Sequence, residues 1–141
     1  MSGDAELDLQ LARRYARAYA AFDVDVLREI LDPVLCLRQI NPGGFLPMTG
    51  AETYIAATGD LLLGFTDHRK ESCGARRIGD VYVTESCMRL ASGSSTYLLQ
   101  HREVVTIEHG RVTAIDGVTT GPRPLADRRT LRRPEREKEG R

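Results

Sequence analysis

The chain has 141 residues, 41% hydrophobic and 28% charged, with 20 basic against 20 acidic side chains and a formal net charge of zero. That length and composition fit one globular domain that can bury its own core, and they exclude a collagen-like or wholly disordered chain. A neutral chain has no global field to gather nucleic acid or an anionic membrane surface, and no apolar run approaches the roughly 18 residues of a membrane span.

Leu11, Tyr15, Ala18 and Phe22 fall on one helical stripe, with Arg13, Arg14 and Arg17 on the opposite side, so the pattern predicts an amphipathic helix over 5–21. Asp23 can cap a short second helix whose apolar positions are Val26, Leu27, Ile30 and Leu31, and Asp32-Pro33 ends it. A strand follows over 34–40, and Asn41-Pro42-Gly43-Gly44 then breaks regular structure. Thr49 and Glu52 have the spacing of a capping box and open a third helix that reaches residue 63, with Gly64 as its stop. From His68 onward four β-prone stretches cover 68–78, 80–91, 95–107 and 111–120, separated by short glycine-containing breaks. Helices gathered ahead of an antiparallel meander indicate an α+β fold with the helices on one face of the sheet.

Residues 1–121 therefore form the expected domain, and 122–141 a tail with three prolines and eight Lys/Arg against four Asp/Glu. Such a tail buries too little apolar surface to order itself, and its interleaved acids argue against nucleic-acid binding. Cys36, Cys73 and Cys87 are odd in number and form no Cys-x-x-Cys pair, so they read as reduced thiols. The acidic start Met1-Ser2-Gly3-Asp4 does not resemble a signal peptide, which makes the cytoplasm the expected location. His68, His101 and His109 lack metal-ligand spacing, and no phosphate loop or dinucleotide fingerprint is present, so neither a metal nor a cofactor is expected. His68 and His109 read as surface residues.

In 97–107, alternation places Tyr97, Leu99, His101, Glu103, Val105 and Ile107 on one face. This set is the more apolar toward its end and is expected to face inward. It carries His101 and Glu103 with it, which is costly unless the two are paired or the site is wet. On the first strand the inward set is Leu35, Leu37 and Gln39.

The element order, with Arg14-Tyr15 in the first helix and Gly110-Arg111-Val112 opening the last strand, resembles the NTF2-like superfamily over about residues 8–120. That superfamily includes ketosteroid isomerase, limonene epoxide hydrolase and the SnoaL-like polyketide cyclases. The resemblance implies a cone in which helices pack into a strongly bent sheet around a deep pocket, and a homodimer through the convex face. It matches Glu103 and Tyr15 to the isomerase pair that stabilises an oxyanion, provided the turn after Glu103 is one residue shorter here. A carboxyl in an apolar pocket stays protonated at neutral pH and can donate a hydrogen bond. The isomerase base has no counterpart on the first strand, where Gln39 stands, and His101 is the substitute. The SnoaL-like acid on the last strand has one candidate, Asp116, whose facing depends on whether that strand carries a bulge. The positions matching the epoxide hydrolase groups are Ser86, Met88 and Gly117, which cannot perform that chemistry.

Together these readings point to a cofactor-independent cyclase or isomerase for an apolar, polyketide-like small molecule. Tyr15, Glu103, His101 and Asp116 are its candidate catalytic residues, and Gln39, Leu35, Leu37, Met88, Tyr97 and Leu99 its substrate contacts. The chemistry is either acid–base or the shaping of a flexible substrate for cycloaddition. The alternatives are a non-catalytic ligand-binding or dimerising protein of the same fold, in which Tyr15 and Glu103 merely satisfy one another, and an adaptor acting through its tail.

Overall fold

The computed structural model describes residues 2–125, in the order α1 (Ser2–Ala21), α2 (Val24–Ile30), β1 (Leu31–Asn41), β2 (Gly44–Thr49), α3 (Ala51–Leu62), β3 (Asp67–Ile78), β4 (Val81–Ser92), β5 (Ser95–Glu108) and β6 (Arg111–Pro124). Six strands form one sheet in the order β2-β1-β6-β5-β4-β3. Every pairing is antiparallel except β1 with β6, where the meander returns to the first strand. The three helices pack against this sheet, the α+β arrangement the element order predicts.

Helix α1 buries Ala12, Tyr15, Ala16 and Tyr19 and leaves Arg13, Arg14 and Arg17 exposed. Small alanines at this spacing let the helix lie close to the sheet while the tyrosines reach across it. Asp23 caps α2 by accepting from the Val26 amide at 3.3 Å, and Leu27 and Ile30 are fully or nearly fully buried. Each such side chain contributes about 1.5–3 kcal/mol through burial. Exposed ion pairs Arg14–Glu29 and Arg28–Glu52, at 2.8 and 2.7 Å, join α2 to its neighbours.

The structure departs from the sequence expectations in four places. Strand β1 starts at Leu31, so Pro33 lies inside it. It sits where the β1–β6 register shifts between Leu31 and Cys36, a position at which its missing N–H is tolerated. Residues 44–49, to which the sequence pattern assigns no element after the break at 41–44, form β2 and pair with 36–41 of β1. Thr49 ends that strand and makes no cap. The N-cap of α3 is Gly50 at φ 102°, a conformation that favours glycine, and Glu52 is turned toward Arg28. Strand β6 continues past the expected end at 120 to Pro124, so Arg123 and Pro124 pair with Leu98 and Tyr97; the tail from residue 126 lies outside the described residues.

The core is continuous beneath the sheet and includes Tyr15, Leu27, Leu31, Leu35, Leu37, Met88, Leu90, Leu99 and Ile115. The three cysteines are free thiols: Cys36 exposed, Cys73 half-buried and Cys87 buried. His109 sits at the β5–β6 turn with φ 52° and is exposed, whereas His68 is half-buried, edge-on to Phe22. Among the described residues no helix is long and apolar enough to cross a membrane.

Candidate active site

Strand register assembles the polar groups. Gln39 lies beside Gly117, Gly117 beside Glu103, and Glu103 beside Thr84, a row that crosses β1, β6, β5 and β4. The adjacent row holds Thr119, His101 and Ser86. Gly117 makes the first row possible. A Cβ there would stand 2.6 Å from Cγ of Glu103 and 2.8 Å from the Arg102 carbonyl oxygen, so the stem of Glu103 occupies the space a side chain would need, and its carboxyl reaches Gln39.

Glu103 is 2% exposed. The Tyr15 hydroxyl donates to Oε1 at 2.7 Å, and the Gln39 amide donates to Oε2 at 3.2 Å. Burial raises the carboxyl to about 7, although both hydrogen bonds pull it back. The two protonation states are therefore both populated near neutral pH. Tyr15 and Tyr54 are also in contact, oxygen to oxygen, at 2.8 Å. Each phenol has one proton to give. With Glu103 ionised, Tyr15 donates to it and Tyr54 donates to Tyr15. With Glu103 protonated the chain can reverse, Glu103 to Tyr15 to Tyr54, which frees the Tyr54 proton. Burial raises the pKa of Tyr15, Tyr19 and Tyr54, so all three stay neutral phenols.

A second cluster stands beside the first. The Tyr19 hydroxyl lies 3.0 Å from Oγ1 of Thr58 and 3.2 Å from Nε2 of His101. The Tyr19 ring stacks on Tyr54 at 5.2 Å and meets His101 edge-on at 4.6 Å. Burial lowers His101 to about 4, so its imidazole is neutral at physiological pH. Nδ1 of His101 and Oγ1 of Thr119 are buried without a hydrogen-bond partner among the described residues.

Both residues line a cavity of about 380 Å³. Its buried floor is Tyr19, Gln39, Tyr54, Thr58, Leu99 and His101, and its exposed rim includes Pro42, Leu46 and Leu61. Another hollow, of about 430 Å³, is lined by Gly74, Arg76, Glu85 and Arg102 among others, but none of the phenols nor His101 touches it. The convergence of polar groups, not the larger volume, marks the chemical site. Among the described residues no three His, Cys, Asp or Glu side chains are grouped to hold a metal ion.

The sequence candidates separate into three layers. His101, Gln39 and Leu99 form cavity wall. Tyr15 and Glu103 bond to each other one layer behind it, reaching the wall through Tyr54 and Gln39. Leu35, Leu37 and Met88 are core residues rather than wall, and Tyr97 packs edge-on against Phe65 at 5.5 Å. Asp116 is a correction, because it lies on the opposite face of the sheet and bonds to the exposed Arg38 at 2.6 Å. The cause is the register shift between Thr106 and Ile107. Val112 and Ile115 are both buried, three apart, so 115, 117 and 119 point inward while 116 points out. Sequence reasoning missed Tyr19, Tyr54, Thr58 and Thr119. The spacings Tyr15–Tyr19 and Tyr54–Thr58, four residues each, were the available signal that two helices turn paired hydroxyl groups the same way.

No family model matches this sequence, and no curated protein matches it. Solved structures do. IdmH, a proposed polyketide cyclase from Streptomyces antibioticus, superposes with a TM-score of 0.62 at 14% identity, over 78% of this chain and 89% of that one. An LEH-like epoxide hydrolase from M. tuberculosis gives 0.58 at 16% identity, over 81% and 83%. An NTF2-like protein of unknown function from Burkholderia pseudomallei gives 0.59 at 17% identity, over 90% and 95%. At these identities the likeness is one of backbone: the described residues have the NTF2-like fold, three helices packed against one curved, mostly antiparallel sheet.

Proposed function

We propose that the protein is a cofactor-independent cyclase or isomerase for an apolar, polyketide-like small molecule in natural-product biosynthesis. The observation that carries this reading is the cavity floor, where a neutral histidine, a glutamine amide and a phenol linked to a buried carboxyl converge on a space of about 380 Å³. The fold shared with IdmH supports the substrate class.

The acid–base route assigns each group a role. Nδ1 of His101 takes a proton from carbon next to a substrate carbonyl, and the electron pair moves onto the carbonyl oxygen. Tyr54, its proton freed when Glu103 is protonated, donates to that oxyanion. One such donor is worth about 3–4 kcal/mol of barrier. His101 then returns the proton at another carbon, which completes an isomerisation, or the enolate carbon attacks a second carbonyl and closes a ring, and the new alkoxide takes the proton back from His101. Tyr19 and Thr58 hold the imidazole in place. Glu103 and Tyr15 act through Tyr54, without touching the substrate.

The test is exchange of the α-protons of 1-tetralone in D2O, followed by NMR. The expected result is acceleration of at least about tenfold over buffer, which declines as pH rises through about 7 and Glu103 ionises. His101→Gln and Tyr54→Phe remove the acceleration, and Asp116→Asn leaves it unchanged. A protein that binds 1-tetralone but accelerates nothing refutes the acid–base route. That outcome favours the second reading, a binding or substrate-shaping protein, which rests on Tyr15 and Glu103 satisfying each other behind the wall.

A further inference from the structure

The cavity wall specifies its ligand more closely than the fold does. Among the described residues the lining contains no Lys, Arg, Asp or Glu. An anion placed there would lose its hydration with no cation to pair with, and the ionised form of Glu103 behind the wall would repel it. An ammonium would meet phenol rings, but no carboxylate stands on the wall itself. The apolar share of the lining, Leu46, Met48, Leu61, Leu99 and Pro122, suits a hydrocarbon body. The volume is close to the lower limit of about 300 Å³ for a small-molecule site, which fits one or two fused rings.

Two buried polar atoms of wall residues have no hydrogen-bond partner among the described residues. His101 and Thr119 are paired across β5 and β6, so their side chains are neighbours on one face. Nδ1 of the first and Oγ1 of the second have no partner among the described residues, and His101 is 4% exposed. Leaving such atoms unsatisfied is costly, so a group that bonds to them has a gain waiting. Nε2 of His101 faces the Tyr19 hydroxyl, which can donate or accept. Nδ1 can therefore present either a proton or a lone pair to the cavity. A threonine hydroxyl likewise donates or accepts.

We propose that the ligand is an uncharged molecule of one or two rings with a hydroxyl group that donates to Nδ1 of His101 and accepts from the Thr119 hydroxyl. This deepens the functional reading above and rests on the same cavity, but it concerns binding alone.

The test is calorimetric titration of the whole protein with four molecules sharing one skeleton: 1-tetralol, tetralin, 1,2,3,4-tetrahydro-1-naphthoate and protonated 1-aminotetralin. The alcohol is expected to bind at least about tenfold more tightly than each of the other three. Thr119→Val removes most of the preference over tetralin and leaves tetralin affinity within about threefold, which also reports an intact cavity. Should that variant not fold, the wild-type imidazole gives a second reading: adding 1-tetralol shifts the 15N resonance of Nδ1 of His101 more than that of Nε2. Equal or tighter binding of the carboxylate or the ammonium overturns the proposal, as does a preference that survives Thr119→Val or a 15N shift confined to Nε2. If the alcohol preference appears without any proton exchange of 1-tetralone, the ligand assignment stands and the catalytic reading alone fails.

Discussion

Replacing Glu103 by Gln keeps the shape of the buried side chain and removes its titration. In the unfolded chain this carboxyl has its ordinary value of 4.5, and in the folded protein burial raises it to about 7. Between those values the folded state holds a proton that the unfolded state has lost. The stabilisation is complete below 4.5 and disappears as pH rises to 7. Each pH unit of that interval carries about 1.4 kcal/mol, so the whole is about 3 kcal/mol. His101 acts in the opposite sense. Its value falls from 6.5 to about 4 on folding, so its contribution is complete above 6.5 and is lost as pH falls toward 4. The two slopes oppose each other between 4.5 and 6.5 and nearly cancel in the wild type. Glu103→Gln unmasks the histidine: the stability of the variant rises by about 3 kcal/mol from pH 4 to 6.5 and is flat above. Urea unfolding followed by far-UV circular dichroism, on both proteins from pH 4.5 to 8, measures the difference directly. Other titrating groups drop out of the comparison. The expected result is that wild type loses about 3 kcal/mol relative to the variant across that range. A difference constant within about 0.5 kcal/mol would show that Glu103 titrates alike in both states and would refute the buried-carboxyl account.

Two other expectations follow from the same geometry. Gly117→Ala forces a methyl group against the side chain of Glu103 and the Arg102 carbonyl, and is expected to cost about 1–3 kcal/mol in thermal or urea unfolding; a neutral substitution would mean that Glu103 does not depend on the missing side chain. On the outer face, Phe45, Ile40 and Val118 lie side by side and are 63%, 55% and 49% exposed, a row suited to the homodimer the resemblance implies. Sedimentation equilibrium is expected to give a dimer for the wild type and a monomer for Ile40→Asp, and a monomeric wild type removes that expectation.

The central pairing was legible because it needs only two periodicities. Tyr15 lies on the apolar stripe of a helix, and Glu103 alternates with Leu99, Val105 and other apolar residues along a strand, so both had to face the same interior. Gln39 followed from alternation with Leu35 and Leu37. Tyr54 was hidden because its partner, Tyr15, is 39 residues away, and nothing local records that α3 sets their oxygens 2.8 Å apart. Thr49 and Glu52 matched a capping pattern that tertiary contacts overrode. Pairing with Cys36 holds Thr49 in a strand, and Arg28 takes Glu52.

By itself the sequence determined the three helices, most of the strands and the inward row of β5, because each is a repeating burial pattern written in neighbouring residues. Only the tertiary structure decided that Asp116 faces out, that Glu103 stands behind the cavity wall instead of on it, and that His101 and Thr119 line the same wall. Those outcomes depend on one bulge in β6 and on registers between distant strands. A one-residue slip in pairing reverses every side chain beyond it, and no local pattern encodes where the slip falls.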